Sequence, residues 1–323
     1  MAQPNTKQSR KRQTRANRRA AEAAAQKARE EQLARERQQQ TTIGVIVVII
    51  IVALIAIIGA VTFHQISKSN AERKVSSTSL YSTLQSTKPR PNNVTDQAGF
   101  LISKDGMNKK VDGAPTVEIY MDPLCPGCGS LHRQIDSDLS KMVNAGQINL
   151  VYHFLNFLDQ DSTDQYSTRA SNAITYVASH DSDTSQVMGF VANIYEQGYQ
   201  PKEGAEYQPT SNEQIKAQAL KAGVPQSIAN KAFSKTYDKW ITAANNYTIK
   251  RTELATPSGQ NKGSFSSPVV TVNGRVMDMA KLNDLGMTQK AALLKELGLS
   301  EAQVGQDGKM PSIGAKGQPN SLD

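Results

Sequence analysis

Cysteine and tryptophan are scarce in this chain of 323 residues, which contains two cysteines and one tryptophan. Two cysteines exclude a small secreted scaffold that is held together by many disulfides. With this length and 38% hydrophobic residues, the chain can form one or two domains around a core of their own. The cysteines are therefore available for a role other than general cross-linking.

Acidic residues are outnumbered by basic ones mainly near the start of the chain. Residues 1–42 contain eleven Lys or Arg against four Glu, a local charge of +7, whereas residues 64–112 carry +4 and residues 113–323 carry −3. No aromatic residue lies among the basic residues of the first segment, which disfavours nucleic-acid binding. We expect residues 1–42 to be a cytoplasmic tail. Residues 7–37 either contact anionic lipid or serve only as a topology signal.

Charged residues are absent from residues 43–63, whose sequence is IGVIVVIIIVALIAIIGAVTF. As a helix, this run spans roughly 30 Å, the thickness of the hydrocarbon core. A cleaved signal peptide is the competing interpretation, but such peptides have a shorter apolar core of about 7–15 residues. Because most neighbouring Lys and Arg precede the run, the N-terminus is expected in the cytoplasm and residues 64–323 outside. The sequence predicts a single-pass protein of the cell membrane with one N-terminal transmembrane helix.

The remaining sequence divides into a linker, a folded domain and a tail. Residues 64–97 are rich in Ser, Thr, Asn, Gln and Pro, as is typical of a linker. We expect a domain over residues 98–298 and a C-terminal tail over 299–323, disordered from about residue 303. The domain alternates apolar runs with helical patterns, which predicts an α/β fold. The expected strands are 100–102, 116–121, 148–155, 269–272 and 275–277; the expected helices are 126–143, 164–180, 184–197, 211–222, 226–254 and 282–297, with a helical insertion over about 158–256.

Both cysteines lie in the tetrapeptide Cys125-Pro126-Gly127-Cys128, where a predicted strand passes into a predicted helix. Unpaired N–H groups and the positive end of the helix dipole favour a thiolate at Cys125. Pro126 suits the first helical turn because its missing N–H is not needed there. Gly127 leaves room for a partner chain, so the motif favours a redox-active dithiol.

Three other interpretations of the cysteine pair remain open. A zinc site would need two more ligands, and His64, His132, His153 and His180 show no ligand spacing. A structural disulfide would close only a very short loop and would constrain little of the domain. Two inert thiols are the third alternative.

The segments DPLCPGC and SSPVVTVNG carry a family resemblance. A strand ending in the first, a helix, an apolar strand, a helical insertion and then the second resemble the DsbA-like branch of thioredoxin-fold oxidoreductases over about residues 98–298. The membrane-anchored actinobacterial members are the most similar. The resemblance implies a thioredoxin fold with a helical insertion, protein thiol:disulfide oxidoreductase activity and no bound cofactor. It also implies Cys125 as the nucleophile, Cys128 as the resolving cysteine, Pro268 as a cis-proline beside them and Ser267 as the residue that tunes them.

The sequence departs from the family pattern at two positions. The strongest oxidants of the family carry His where this chain has Gly127, which leaves the oxidising strength open. Many members place a buried Glu six residues before the nucleophile, whereas Glu118 lies seven before; it is either a proton-transfer group or an edge carboxylate. Asp122 matches a family Asp that can also cap the junction. We expect His132 to be an exposed surface residue.

These features predict a membrane-tethered, extracytoplasmic enzyme that introduces disulfides into exported proteins with cysteine thiols. By resemblance, a quinone-linked membrane protein of the DsbB or VKOR type would reoxidise it. Direction depends on the reduction potential relative to the partner, so a reductase or isomerase of the same fold is an alternative. A non-enzymatic anchored binding module with a structural disulfide is another.

Overall fold

A computed structural model describes residues 77–322, which contain a six-stranded mixed sheet in the order β2-β1-β4-β3-β5-β6. Strands β3 and β4 are parallel, and the other neighbouring pairs are antiparallel. The predicted α/β class is confirmed. The strands are β1 (Phe100–Ser103), β2 (Gly106–Met107), β3 (Thr116–Met121), β4 (Asn149–Phe154), β5 (Val269–Val272) and β6 (Arg275–Val276).

Helix α2 (Pro126–Asn144) connects the two parallel strands at the centre of the sheet. Its buried residues recur at helical spacing and share one core with alternate residues of β3: Leu131, Ile135, Leu139, Met142, Val117, Ile119 and Met121. Because a crossover helix begins just beyond the carboxyl end of its strand, the first turn of α2 lies at one edge of the sheet. This geometry places the Cys-Pro-Gly-Cys tetrapeptide there.

A helical insertion separates β4 from β5, as the sequence predicts. One difference lies in its last helix, expected over 226–254, which is broken into α6 (Gln226–Ala229) and α7 (Asp238–Thr248) with residues 230–237 between them. Apolar side chains of the insertion, including Ile174, Phe190 and Trp240, belong to the same core as α2. The helices are α3 (Tyr166–His180), α4 (Thr184–Ile194), α5 (Asn212–Lys221), α6 (Gln226–Ala229) and α7 (Asp238–Thr248).

The linker prediction is wrong for residues 77–97. Helix α1 (Ser77–Ser86) packs on α7: Leu84 is buried, and the rings of Tyr81 and Tyr247 lie 5.4 Å apart. The backbone N–H of Asn92 then donates to the Ser179 hydroxyl at 2.8 Å. Polar composition suggested a linker, but a few apolar side chains suffice to anchor this segment to the insertion.

The prediction of a disordered C-terminal tail is also wrong. After α8 (Gln289–Leu297), which begins later than expected, the chain continues to Leu322 against the domain, with Leu299 and Leu322 both buried. The fully buried amide of Gln147 donates to the carbonyl oxygens of Gln303, Gln306 and Lys309. The tail has no apolar periodicity from which its packing could be predicted, and hydrogen bonds from the domain help to hold it in place.

The predicted cytoplasmic tail and the transmembrane segment at 43–63 lie outside the described residues. Within residues 77–322, no helix has both the length and the apolar character needed to cross a bilayer.

Candidate active site

The two cysteines occupy the beginning of α2 and differ in accessibility. Cys125 is the N-cap residue, Pro126 begins the helix, and both cysteines are free thiols. Cys125 is 7% exposed and Cys128 is fully buried. Burial raises the pKa of Cys128 well above its ordinary value, and the hydrogen bond and charge of Cys125 raise it further. Cys125 at the helix N-terminus thus keeps a small exposed fraction, whereas Cys128 has none.

Ser267 lies against both sulfur atoms and is followed by Pro268, the proline that the resemblance singles out. The Ser267–Pro268 peptide bond is cis. The Cys125 thiol donates to the Ser267 carbonyl oxygen at 3.6 Å, and the Ser267 hydroxyl is 3.0 Å from Cys128 Sγ. This hydroxyl contact lowers the pKa of Cys128, against the larger effect of burial. Ser267 is therefore the residue that contacts both sulfur atoms from the opposite side of the site.

Gly127 faces the same proline. A Cβ atom at this position would lie 3.1 Å from Pro268 Cδ and 3.7 Å from Cys125 Sγ. A larger side chain would have to displace the proline or turn outward. The space next to Cys125 is consequently left to the Pro268 ring and the Ser267 carbonyl oxygen.

Asp122 lies fully buried just after β3, three residues before Cys125. Its carboxylate accepts hydrogen bonds from the Leu124 N–H at 2.9 Å, the Leu158 N–H at 3.0 Å and the Ser167 hydroxyl at 2.5 Å. Burial outweighs these bonds and raises the pKa of Asp122 to about 7. Asp122 thus holds the strand-to-helix junction at Leu124, although α2 itself begins without a side-chain cap, and the same carboxylate also joins the active-site turn to the insertion.

Glu118 belongs to a different cluster. It accepts hydrogen bonds from His153 Nε2 at 2.9 Å and from the Tyr120 hydroxyl at 3.0 Å. Burial alone would raise its pKa, but His153, Tyr120 and the charge of Arg251 outweigh burial and lower the pKa to about 2. Such a group stays ionised at neutral pH, which disfavours proton transfer. The edge-carboxylate alternative does not hold either, because β3 lies between β4 and β5 inside the sheet.

The prediction of an exposed His132 is wrong. The residue is 1% exposed and stacks on Tyr195, with ring centroids 4.2 Å apart. Its Nδ1 lies 2.7 Å from Asp136 Oδ1, and its Nε2 lies 2.9 Å from Met121 Sδ. The helical insertion covers this face of α2, which the sequence pattern alone did not reveal.

One contact of the active-site turn has no sequence signal. Gln200, from the loop after α4, donates from its side-chain amide to the Cys125 carbonyl oxygen at 2.9 Å. The residue lies 75 positions from Cys125 and belongs to no motif.

Groups of three or more His, Cys, Asp or Glu that could hold a metal ion are absent from the part of the chain that the structure describes. The chemistry of the site is that of two thiols, one hydroxyl and the surrounding backbone.

Comparison with curated proteins gives a partial match. The serine/threonine-protein kinase PknE of Mycobacterium tuberculosis (strain ATCC 25618 / H37Rv) is 35% identical over 112 residues, which are 34% of this chain and 20% of the kinase. The same values hold for PknE of Mycobacterium bovis. The chain thus spans about a fifth of the length of these curated relatives.

Several solved structures are similar in fold. Reduced DsbA from Mycobacterium tuberculosis is 24% identical with a TM-score of 0.44, covering 58% of this chain and 89% of that one. The thiol-disulfide oxidoreductase MdbA from Corynebacterium matruchotii is 24% identical with a TM-score of 0.45, covering 62% and 92%. MdbA from Actinomyces oris is 19% identical with a TM-score of 0.47, covering 64% and 86%.

The family model described as Thioredoxin matches residues 110–287, more than half of the chain. The matched span includes Cys125, Cys128 and Pro268, the residues on which the site is built. The chain therefore belongs to the thioredoxin family, in which it carries the two-cysteine site of a thiol–disulfide oxidoreductase.

Proposed function

We propose that this protein is a membrane-tethered, extracytoplasmic oxidase of the DsbA type that introduces disulfides into exported proteins. The observation that carries the proposal is the asymmetry of the cysteine pair. Cys125 is slightly exposed at the beginning of α2, and Cys128 is fully buried behind it. An incoming thiolate can therefore reach Cys125 only, so the mixed disulfide forms at this cysteine.

The reaction begins with the Cys125–Cys128 disulfide. A substrate thiolate attacks Cys125 Sγ, which forms a mixed disulfide and releases Cys128 as a thiolate. A second substrate thiolate attacks the substrate sulfur of the mixed disulfide, which forms the substrate disulfide and releases Cys125 as a thiolate. Two electrons have then passed from the substrate to the enzyme, and both cysteines take up protons.

Ser267 supports the step that releases Cys128. A buried thiolate is costly, but the Ser267 hydroxyl, 3.0 Å from Cys128 Sγ, donates a hydrogen bond to it. The Ser267 carbonyl oxygen lies on the Cys125 side of the same peptide. The enzyme leaves the cycle reduced, and we propose a quinone-linked membrane protein of the DsbB or VKOR type as its oxidant.

Trapping of substrates tests this function. Cys128→Ser in the full chain leaves Cys125 without its resolving partner. We therefore expect the variant to accumulate covalent complexes with exported proteins. A reductant should cleave these complexes, because they are mixed disulfides. The control is the double variant Cys125→Ser/Cys128→Ser, which should trap nothing.

Two outcomes would contradict the proposal. An anchored binding module with a structural disulfide predicts no trapped complexes and full function in Cys125→Ser. A reductase or isomerase predicts that the complexes contain proteins whose disulfides persist or are rearranged incorrectly when the gene product is absent, rather than proteins left with free thiols.

A further inference from the structure

The insertion also contacts the carbonyl groups of the active-site turn, through the side chain of Gln200. Its Nε2 donates to the carbonyl oxygens of Cys125, at 2.9 Å, and of Pro123, at 3.2 Å. Its Oε1 accepts from Arg133 Nη1 at 3.3 Å, and the same Arg133 atom donates to the Tyr195 carbonyl oxygen at 2.8 Å. Both ends of the Gln200 amide are thus held, one by the turn and the other by a side chain of α2.

Gly129 supplies the space for this amide. It is a buried residue in the first turn of α2, where alanine would be the better helix former. A Cβ atom there would lie 1.9 Å from Gln200 Oε1 and 2.6 Å from Arg133 Nη1. The nearest obstacle is the far end of a flexible side chain, so a methyl group at 129 would displace Gln200 rather than the helix.

The Gln200 hydrogen bonds change the electrostatic surroundings of Cys125. The carbonyl oxygens of Pro123 and Cys125 belong to the turn that carries the Cys125 sulfur, which leaves as a thiolate when the substrate disulfide forms. The Gln200 amide brings positive partial charge to both oxygens and fixes the peptide groups that carry them. Stabilising the reduced form of a dithiol makes the corresponding disulfide a stronger oxidant.

We propose that Gln200 is a positioning residue of the redox site, which holds the turn carrying Cys125 and favours its reduced form, and that Gly129 is required to admit it. The inference rests on the proposed function in one respect: it assigns Gln200 a role in the Cys125–Cys128 couple.

The first test compares equilibrium constants of the full chain with glutathione. Gln200→Ala should shift the constant about threefold to tenfold toward a more reducing couple, the factor that corresponds to one hydrogen bond. Gln200→Glu should shift it further in the same direction, because the carboxylate cannot donate and adds negative charge. The matched control is Gln208→Ala, an exposed amide in the same loop.

The second test uses Gly129→Ala, which displaces Gln200 while adding a helix-forming residue. We expect the same shift in the constant as in Gln200→Ala, without a fall in melting temperature. In the Gln200→Ala background, Gly129→Ala should leave the constant unchanged, because no amide remains to be displaced. A purely structural role for Gln200 predicts changes in melting temperature and none in the constant.

Two results overturn the inference and can be told apart. If the parent forms a reversible Cys125–Cys128 couple while Gln200→Ala and Gly129→Ala have the same equilibrium constant with glutathione as the parent, the role of Gln200 is wrong and the proposed function stands. If the parent forms no such disulfide at any glutathione ratio, the proposed function fails as well.

Discussion

Glu118 lies within the central strand β3 and Asp122 directly follows its carboxyl end, and their surroundings shift the pKa values of these two carboxylates in opposite directions. Burial raises the pKa of Asp122 to about 7, whereas His153, Tyr120 and Arg251 lower the pKa of Glu118 to about 2 against the effect of burial. At neutral pH burial also favours the uncharged form of His153, so it holds Glu118 mainly as a hydrogen-bond donor. Its positive charge adds to the interaction once acid protonates it.

The raised pKa of Asp122 predicts a stability change with pH. Between about 3.8 and about 7 the folded state binds a proton that the unfolded chain has already lost. The free energy of unfolding should therefore fall as pH rises across this window. Asp122→Asn, which does not titrate, should flatten the slope between pH 4 and pH 7 in denaturant titrations of the full chain in detergent.

A matched variant checks this prediction. Asp105→Asn removes an exposed carboxyl and should keep the parental slope. If Asp122→Asn also keeps that slope, Asp122 does not contribute to it.

Ser267 contacts Cys128 through its hydroxyl, and removing that group should slow resolution of mixed disulfides. In Ser267→Ala the resolving thiolate loses a hydrogen bond. We expect the mixed disulfide with a model thiol to persist about twofold to tenfold longer, as measured by rapid quenching and mass analysis. Ser267→Thr keeps the hydroxyl and should restore the parental lifetime; equal lifetimes in all three proteins would exclude this role.

Residue roles were predictable only where a local motif specifies them. The helix-start geometry of Cys125 and Cys128 follows from their spacing, and the cis Ser267–Pro268 bond follows from the family resemblance and is present. The burial of His132 and the contact of Gln200 with the turn depend on the packing of the insertion, which leaves no periodic signal near either residue.

At the scale of elements, hydrogen bonds from single polar side chains attach the segment after α8 to the domain. Gln147 binds the segment after α8, and Asn273 Nδ2 donates to the carbonyl oxygens of Gly314 and Gly317. The backbone N–H of Asn320 donates to the Glu296 carbonyl oxygen at 3.0 Å. The last part of the described chain is therefore held by single polar side chains and backbone bonds.

Removing one anchor should weaken the fold measurably. In Gln147→Ala, carbonyl oxygens of residues 303, 306 and 309 and the Gly305 N–H lose their buried partner. We expect the free energy of unfolding to fall by about 1–3 kcal/mol, the usual cost of unsatisfied buried polar groups. Gln208→Ala should change it little, and a melting temperature of Gln147→Ala equal to that of the parent would contradict the anchoring role.

Apolar periodicity predicted the central strands and α2–α5 to within a few residues, because those elements bury whole faces. It did not predict α1 or the packed tail. Each of these contributes only a few buried side chains, such as Leu84 and Leu322, to a core that the rest of the chain builds.

At the scale of the whole molecule, the sequence has a basic segment at residues 1–42, an uncharged apolar run at residues 43–63 and a slightly acidic part at residues 113–323. The prediction of a thioredoxin-fold oxidoreductase is confirmed. The membrane anchor remains a prediction that rests on residues 43–63 and on the excess of basic residues before them.

The anchor can be tested by charge insertion. The double variant Ile50→Lys/Leu54→Lys places two lysines in the apolar run, each at a cost of about 3 kcal/mol for insertion. We expect the parent to resist alkaline carbonate extraction from membranes and the double variant to be released. Leu220→Lys, at an exposed apolar position of the domain, should stay with the membrane; a parent that carbonate extracts would contradict the anchor.

The reduction potential of the Cys125–Cys128 couple tests the central claim most directly. It can be measured on the full chain by equilibration with glutathione buffers, acid quenching and mass analysis of the two thiols. Our account predicts a potential toward the oxidising end, near the value of about −120 mV that marks a strong dithiol oxidant. A potential near about −270 mV, the value of thioredoxin, would contradict an oxidase.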